Sequence, residues 1–194
     1  MEFDKELKQD AKLNDVPISF DETMEFLINT INKYNCKDVL EIGTAIGFGS
    51  ISMASFTNLD HIDTLEINEE TSLKAKENIK ARNLEDKITV FNIDAKKYLE
   101  NCNKKYDLVY LDGPKGQYIN YLPFIKKLLK NSKIIVADNI FFHGMVLGTV
   151  EVTAGCRSMI KGLHKFVDEI TTSSDLESQI LNIGDGVALI KVKL

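Results

Sequence analysis

At 194 residues, with 44% hydrophobic and 27% charged side chains, the chain has the size and composition of one domain with a full core, which excludes a disordered, charge-dominated polymer. The formal net charge of −5, from 24 basic against 29 acidic side chains, speaks against a broad non-specific nucleic-acid surface, although a local basic patch stays possible. No apolar run approaches the ~20 residues that cross a bilayer, which excludes a helical membrane span.

The N-terminal MEFDKELKQDAKLND is charged and has no apolar core of signal-peptide type, so a cytoplasmic location is expected. Cys36, Cys102 and Cys156 are odd in number and without metal-ligand spacing, and read as free thiols. From Lys37 onward, short β-branched runs alternate with longer helical patterns. The strands are KDVLEIG from Lys37, HIDTLEI from His61, ITVFNID from Ile88, YDLVYLD from Tyr106 and KIIVADN from Lys133. Between them lie the helical segments SISMASF, NEETSLKAKENIKARN, AKKYLENC and QYINYLPFIKKLLKN. A further helix follows. It carries Ile160, Leu163, Val167 and Ile170 on one side and Arg157, Lys161, His164 and Lys165 on the other, and the basic side reads as a solvated face. Two more strands, SQILNIG from Ser178 and GVALIKV from Gly186, flank Asp185-Gly186, a dipeptide that favours a two-residue hairpin turn. The expected fold is a single α/β domain over residues 1–194. It is a Rossmann-like, seven-stranded, mostly parallel sheet with helices on both faces and a C-terminal antiparallel hairpin.

The chemistry-bearing residues fall at the carboxyl ends of the strands, where open α/β sheets bind ligands. VLEIGTAIGFGS leaves the first strand through Gly43, Gly47 and Gly49. These glycines let the chain turn sharply and let a ligand approach the backbone. The spacing is GxxxGxG, which matches neither the dinucleotide fingerprint nor a phosphate-binding loop, and it disfavours a nicotinamide-dependent protein. Glu66 ends the second strand 23 positions after Gly43, where an acid can accept both hydroxyls of a ribose. Asp94 ends the third and could receive an adenine amine. Each acid would serve equally as a helix cap. Asp112 ends the fourth strand and Asp138-Asn139 the fifth. Two carboxylates and an amide oxygen suit a hard divalent cation such as Mg²⁺, and they would also suit a cap and a turn.

The succession VLEIGTAIGFGS, TLEIN, NIDA, LDGPKGQY and VADN resembles the metal-dependent O-methyltransferases of the catechol and caffeoyl-CoA type, within the class I S-adenosylmethionine-dependent methyltransferases. The likeness runs from about Val16 to the end. KGQY after the strand-four acid and GDG in the last hairpin are similar to the branch that acts on 5-hydroxyuridine in bacterial tRNA. The resemblance implies that Glu41, Gly43, Gly49, Ile67 and Asp112 border S-adenosylmethionine, Glu66 holds its ribose, Asp94 with Ala95 meets its adenine, and Val16 touches its methionine part. It implies Asp112, Asp138 and Asn139 as Mg²⁺ ligands and Lys115 as general base. A chelating cation calls for an acceptor with two neighbouring oxygens. The expected acceptor is 5-hydroxyuridine at the wobble position of the tRNA anticodon loop, and the alternative is a small catechol-like molecule. Tyr118, Phe141 and Phe142 are aromatics on which a base could stack, or core residues. His143 to Ser158 matches no pattern in the family, and a homodimer is the expected assembly.

Overall fold

Central strands of this chain are buried on both faces because both faces are covered, and the computed structural model shows how. It describes residues 1–193. Two helices precede the sheet, α1 (Lys5–Leu13) and α2 (Asp21–Lys33). Then strands and helices alternate: β1 (Asp38–Ile42), α3 (Phe48–Phe56), β2 (His61–Glu66), α4 (Glu69–Lys80), β3 (Ile88–Asn92), α5 (Ala95–Asn101), β4 (Tyr106–Leu111). A 3-10 turn (Lys115–Gln117) leads into α6 (Tyr118–Leu128) and β5 (Leu129–Ala137). After a second 3-10 turn (Ala154–Cys156) come α7 (Arg157–Thr172), β6 (Leu176–Leu181) and β7 (Val187–Val192).

The sheet order is β3-β2-β1-β4-β5-β7-β6. Pairing is parallel from β3 through β5 and antiparallel for β5–β7 and β6–β7. The chain order reverses beside β1, which has β2 on one side and β4 on the other, and that reversal opens the crevice used by α/β sheets for ligands. Side chains alternate across the sheet. Leu108 and Tyr110 of β4 join the core with α2 and α3, where Met24, Leu27, Ile28 and Ile51 pack. Val109 and Leu111 join the core with α6 and α7, where Leu122, Ile125, Leu163 and Phe166 pack. Among the described residues no helix is long and apolar enough to cross a membrane.

Four boundaries depart from the sequence expectation. The first 36 residues hold two unexpected helices: α1 buries only Leu7 and Ala11, too thin a stripe to stand out in a charged segment, while α2 buries Met24, Leu27, Ile28 and Ile31 at helical spacing. The expected helix from Gln117 to Asn131 stops at Leu128, and β5 begins at Leu129, which already pairs with Tyr106 across a register shift. The last hairpin forms, but its link runs from 182 to 186 and not over two residues. Leu181↔Val187 is the final pair, and the carbonyls of Asp185 and Gly186 accept from Phe141 and Ile140 N–H (3.0 Å each), which takes Asp185-Gly186 out of the turn centre. On α7 Ile160, Leu163 and Ile170 are buried as expected, but Phe166 is buried where Val167 was expected, and Val167 is half-buried.

Candidate functional site

The ends of β1 to β5 and the connections that leave them surround a cleft of about 630 Å³. Glu66, Ile67, Asp94 and Ala95 form one side. Gly43, Asp112 and Gly113 form the floor, and Asn139, Phe142, His143 and Asp185 the opposite side. The connection between α1 and α2 closes over it through Pro17, Ile18, Ser19 and Phe20.

The floor depends on glycine at one position above all. Gly43 has φ of +104°, and a Cβ there would lie 2.5 Å from the Asp112 carbonyl oxygen, so β1 and β4 can end side by side only without it. The N–H groups of Gly43 and Thr44 both donate to the Leu65 carbonyl, at 3.0 and 3.2 Å. The loop is then pinned by Glu66, whose Oε2 accepts from Ala45 N–H (3.0 Å) and Oε1 from Asn68 N–H (2.9 Å). Each oxygen keeps lone pairs for a further donor in the cleft. Asp94 is the helix cap, one of the two roles considered for it. Its Oδ1 caps α5 by accepting from Lys97 N–H (3.0 Å), and the residue also faces the cleft.

Three expected cofactor contacts sit elsewhere. Glu41 and Gly49 lie beneath the glycine loop and not on the cleft wall: Glu41 is buried and accepts from the Thr64 hydroxyl (2.6 Å), and a Cβ on Gly49 would come within 2.2 Å of its Oε1. Val16 lines a separate depression with Asn14 and Ile46. Its N–H is tied back to Ala11 O (2.9 Å), and the chain reaches the cleft only from Pro17.

Burial pushes the Glu41 carboxyl up to about 8, with the charges of Asp112 and Glu66 adding to the effect against the Thr64 hydrogen bond. An acid whose folded value is raised holds its proton more tightly when folded. Its contribution is therefore full below the unfolded value of 4.5 and is lost as pH rises through about 8. The thermal midpoint is expected to fall between pH 5 and pH 8, and part of that fall should vanish in Glu41→Gln. Differential scanning fluorimetry across that range reads the effect directly.

A connected set of polar groups runs from the acidic end of the cleft into the core: Ser19, Asp112, Lys115 and Asn139 line the cleft, whereas Tyr110 and Asp138 lie buried behind it. Asp112 Oδ1 accepts from Lys115 Nζ (2.6 Å) and its Oδ2 from Ser19 Oγ (2.8 Å). Ser19 Oγ lies 2.9 Å from Tyr110 OH, and Tyr110 OH donates to Asp138 Oδ2 (3.2 Å). Asp138 Oδ1 accepts from Asn139 N–H (2.7 Å), and Asn139 turns with φ of +54°. Burial and then the Asp112 charge push the fully buried Asp138 carboxyl up to about 7. Among the described residues no group of three His, Cys, Asp or Glu forms that could hold a metal; the set here is two acids and an amide.

Lys115 is held in place by the turn that follows it. Helix α7 crosses that turn at Gly162, where an added Cβ would lie 2.3 Å from Gly116 O, while a Cβ on Gly116 would lie 3.0 Å from Met159 Cα. Tyr118 does not reach the cleft: it is fully buried, donates to Leu111 O (2.9 Å) and meets Phe166 edge-on at 5.5 Å. Phe142 does line the cleft, and Phe141 packs against Gly186.

Ser19, Tyr110, His143 and Asp185 escape the sequence reading. The Asp185 carboxylate accepts His143 N–H at 2.8 and 3.0 Å, which fastens the 139–144 segment to the last hairpin. The one available signal was Tyr110, a tyrosine inside a buried strand, whose hydroxyl must find a partner.

A family model described as O-methyltransferase matches residues 1–193. A caffeoyl-CoA O-methyltransferase from Populus kitakamiensis is 27% identical over 190 residues, which are 94% of this chain and 80% of the relative. A Staphylococcus aureus crystal structure, provisionally described as a caffeoyl-CoA O-methyltransferase, is 30% identical with a TM-score of 0.89, covering 98% of this chain and 91% of that one. A Bacillus cereus O-methyltransferase in complex with SAH is 23% identical with a TM-score of 0.82, covering 97% and 90%.

Proposed function

Since the chain belongs to the O-methyltransferase family, we propose that it carries a methyl group from S-adenosylmethionine to one of two neighbouring oxygens on its acceptor, with Mg²⁺ held by Asp112, Asp138 and Asn139. The observation that carries this reading is the pair of carboxylates at the ends of β4 and β5. Asp138 is buried beside Asp112, and its carboxyl is raised to about 7 because burial and that neighbouring charge oppose its ionisation. Lys115 brings one positive charge to the two acids; a divalent cation would supply the remaining countercharge, and an oxygen-only donor set fits Mg²⁺. When bound, the cation supplies Lewis acidity toward the acceptor oxygen.

The donor side fits as well. Glu66 offers its remaining lone pairs to ribose hydroxyls, Ile67 and Asp94 with Ala95 take the adenine, and the absence of a side chain at Gly43 lets the Asp112 backbone close up beside it to form the floor. S-adenosylmethionine supplies the electrophilic methyl group. The chain's own work is to hold the acceptor in line with that methyl, exclude water, and receive one proton. Lys115, on the cleft wall 2.6 Å from Asp112 Oδ1, is placed to receive it at Nζ once its own ammonium proton has been released to solvent and the amine is neutral. Phe142 gives the acceptor ring an aromatic face.

The acceptor in this reading is 5-hydroxyuridine in the tRNA anticodon loop, whose 5-oxygen neighbours the carbonyl at position 4. KGQY and GDG support it. So do Arg157, Lys161, His164 and Lys165, all exposed on α7, whose Met159 lines the cleft. A basic helix face beside an acidic pocket can hold the loop phosphates while one base enters. The Populus relative favours a second reading, in which a small catechol-like molecule takes the methyl group.

Incubation with methyl-labelled S-adenosylmethionine, Mg²⁺ and either hydroxylated tRNA or a catechol separates the two. Label is expected in tRNA, lost on adding chelator and restored by excess Mg²⁺. Transfer that ignores chelator overturns the metal assignment, and label confined to the catechol selects the second reading.

A further inference from the structure

Two hydroxyls, from opposite ends of the sequence, stand behind the two carboxylates. Ser19 belongs to the strap between α1 and α2, 91 residues from Tyr110 and 93 from Asp112, yet its Oγ touches both. Tyr110 is two positions before Asp112 on β4, on the opposite face from Leu111, and it reaches across to Asp138 on β5. All three of Ser19, Tyr110 and Asp138 are buried. Between them the hydroxyls have two hydrogens, one for Asp112 Oδ2 at 2.8 Å and one for Asp138 Oδ2 at 3.2 Å. Each carboxylate is thereby held by its Oδ2.

We propose that Ser19 and Tyr110 are positioning residues for the cation: their hydroxyls fix the rotation of Asp112 and Asp138, and the Ser19 contact couples the cleft-closing strap to the metal seat. The inference rests on the Mg²⁺ reading above. Its physical basis is that partners behind metal ligands orient them, and losing one typically weakens metal affinity about 10–100-fold. The ring of Tyr110 fills core space that phenylalanine would fill equally, so the hydroxyl is dispensable for packing and its value lies in what it touches. The strap consequence follows from connectivity. Ser19 shares the cleft lining with Pro17, Ile18 and Phe20, and its hydrogen bond to Asp112 is a direct tie from that strap to a proposed ligand.

The test uses the full chain and Mn²⁺ as probe, titrated against the free-ion electron paramagnetic resonance signal. Tyr110→Phe and Ser19→Ala are each expected to weaken Mn²⁺ binding about 10–100-fold, while the metal-free thermal midpoint moves by only roughly 2–4 °C. Hydrogen exchange adds a readout that simple packing would not move. Mn²⁺ should slow amide exchange in residues 18–20 of the wild type, and not in Ser19→Ala. Wild-type affinity in both variants overturns the inference and leaves the metal reading standing. A wild type that binds no Mn²⁺ overturns the metal reading itself. Should Tyr110→Phe fail to fold, Ser19→Ala decides the matter, since its hydroxyl lies on a connection and not in a strand.

Discussion

Asp138→Ala is expected to lower methyl transfer by more than about 100-fold, because even the partners behind a metal ligand cost about 10–100-fold in affinity or activity and this change removes one of the three proposed ligands outright. Binding of S-adenosylmethionine should be nearly unchanged. The geometry separates the two effects. Asp138 ends β5, whereas the donor side of the cleft is built on the ends of β1, β2 and β3 through Gly43, Glu66 and Asp94. Removal of the carboxylate deprives Tyr110 OH and Asn139 N–H of an acceptor, yet neither group faces Glu66 or Asp94. Single-turnover transfer measured beside calorimetric titration of S-adenosylmethionine reads both quantities. Wild-type turnover in the variant would remove the basis for a cation at this rim, and loss of donor binding would show that the two halves of the cleft are not independent.

Gly43→Ala should be the most damaging single methyl group in the cleft. Two costs combine. A φ of +104° suits glycine and strains any other residue, and the new Cβ would sit 2.5 Å from Asp112 O and 2.9 Å from Gly113 N, backbone atoms that cannot swing aside. Backbone strain and overpacking each cost on the order of 1–3 kcal/mol, against a total stability of about 5–15 kcal/mol. The thermal midpoint is expected to fall by on the order of 10 °C. Any folded fraction should bind S-adenosylmethionine poorly, because β1 and β4 must part where the floor is formed. A Gly43→Ala variant with wild-type melting and donor affinity would mean that the loop has slack at its tightest point.

Much of this was readable before the fold was known. Strands buried on both faces give runs such as VLEI and LVYL, and a polar residue at the end of such a run has little reason to be there except a cap, a turn or a ligand. Gly43, Glu66, Asp94, Asp112 and Asn139 accordingly fall on one rim. What stayed hidden depends on contacts between distant segments. Ser19 sits among apolar neighbours in VPISF, and nothing local shows that its hydroxyl meets Asp112, 93 residues on. Tyr118 was misleading for the opposite reason. It opens the helix expected after the glycine turn, where its ring could face either the cleft or the core, and α6 sets it edge-on against Phe166 in the core. The hairpin length was misjudged because Asp-Gly is a strong turn signal only when its carbonyls are free, and here they extend the pairing of the 140–141 segment.

The crossing of Gly162 over Gly116 has a practical consequence for anyone who wants to redirect this scaffold to a different acceptor. Backbone meets backbone there, so a transplanted final helix of another sequence would drag the lysine-bearing turn along with it. Exchanges confined to the stretch between Gly144 and Thr153 would leave that lysine where it is. Reprogramming should therefore begin in that stretch and treat the two glycines as a fixed hinge pin.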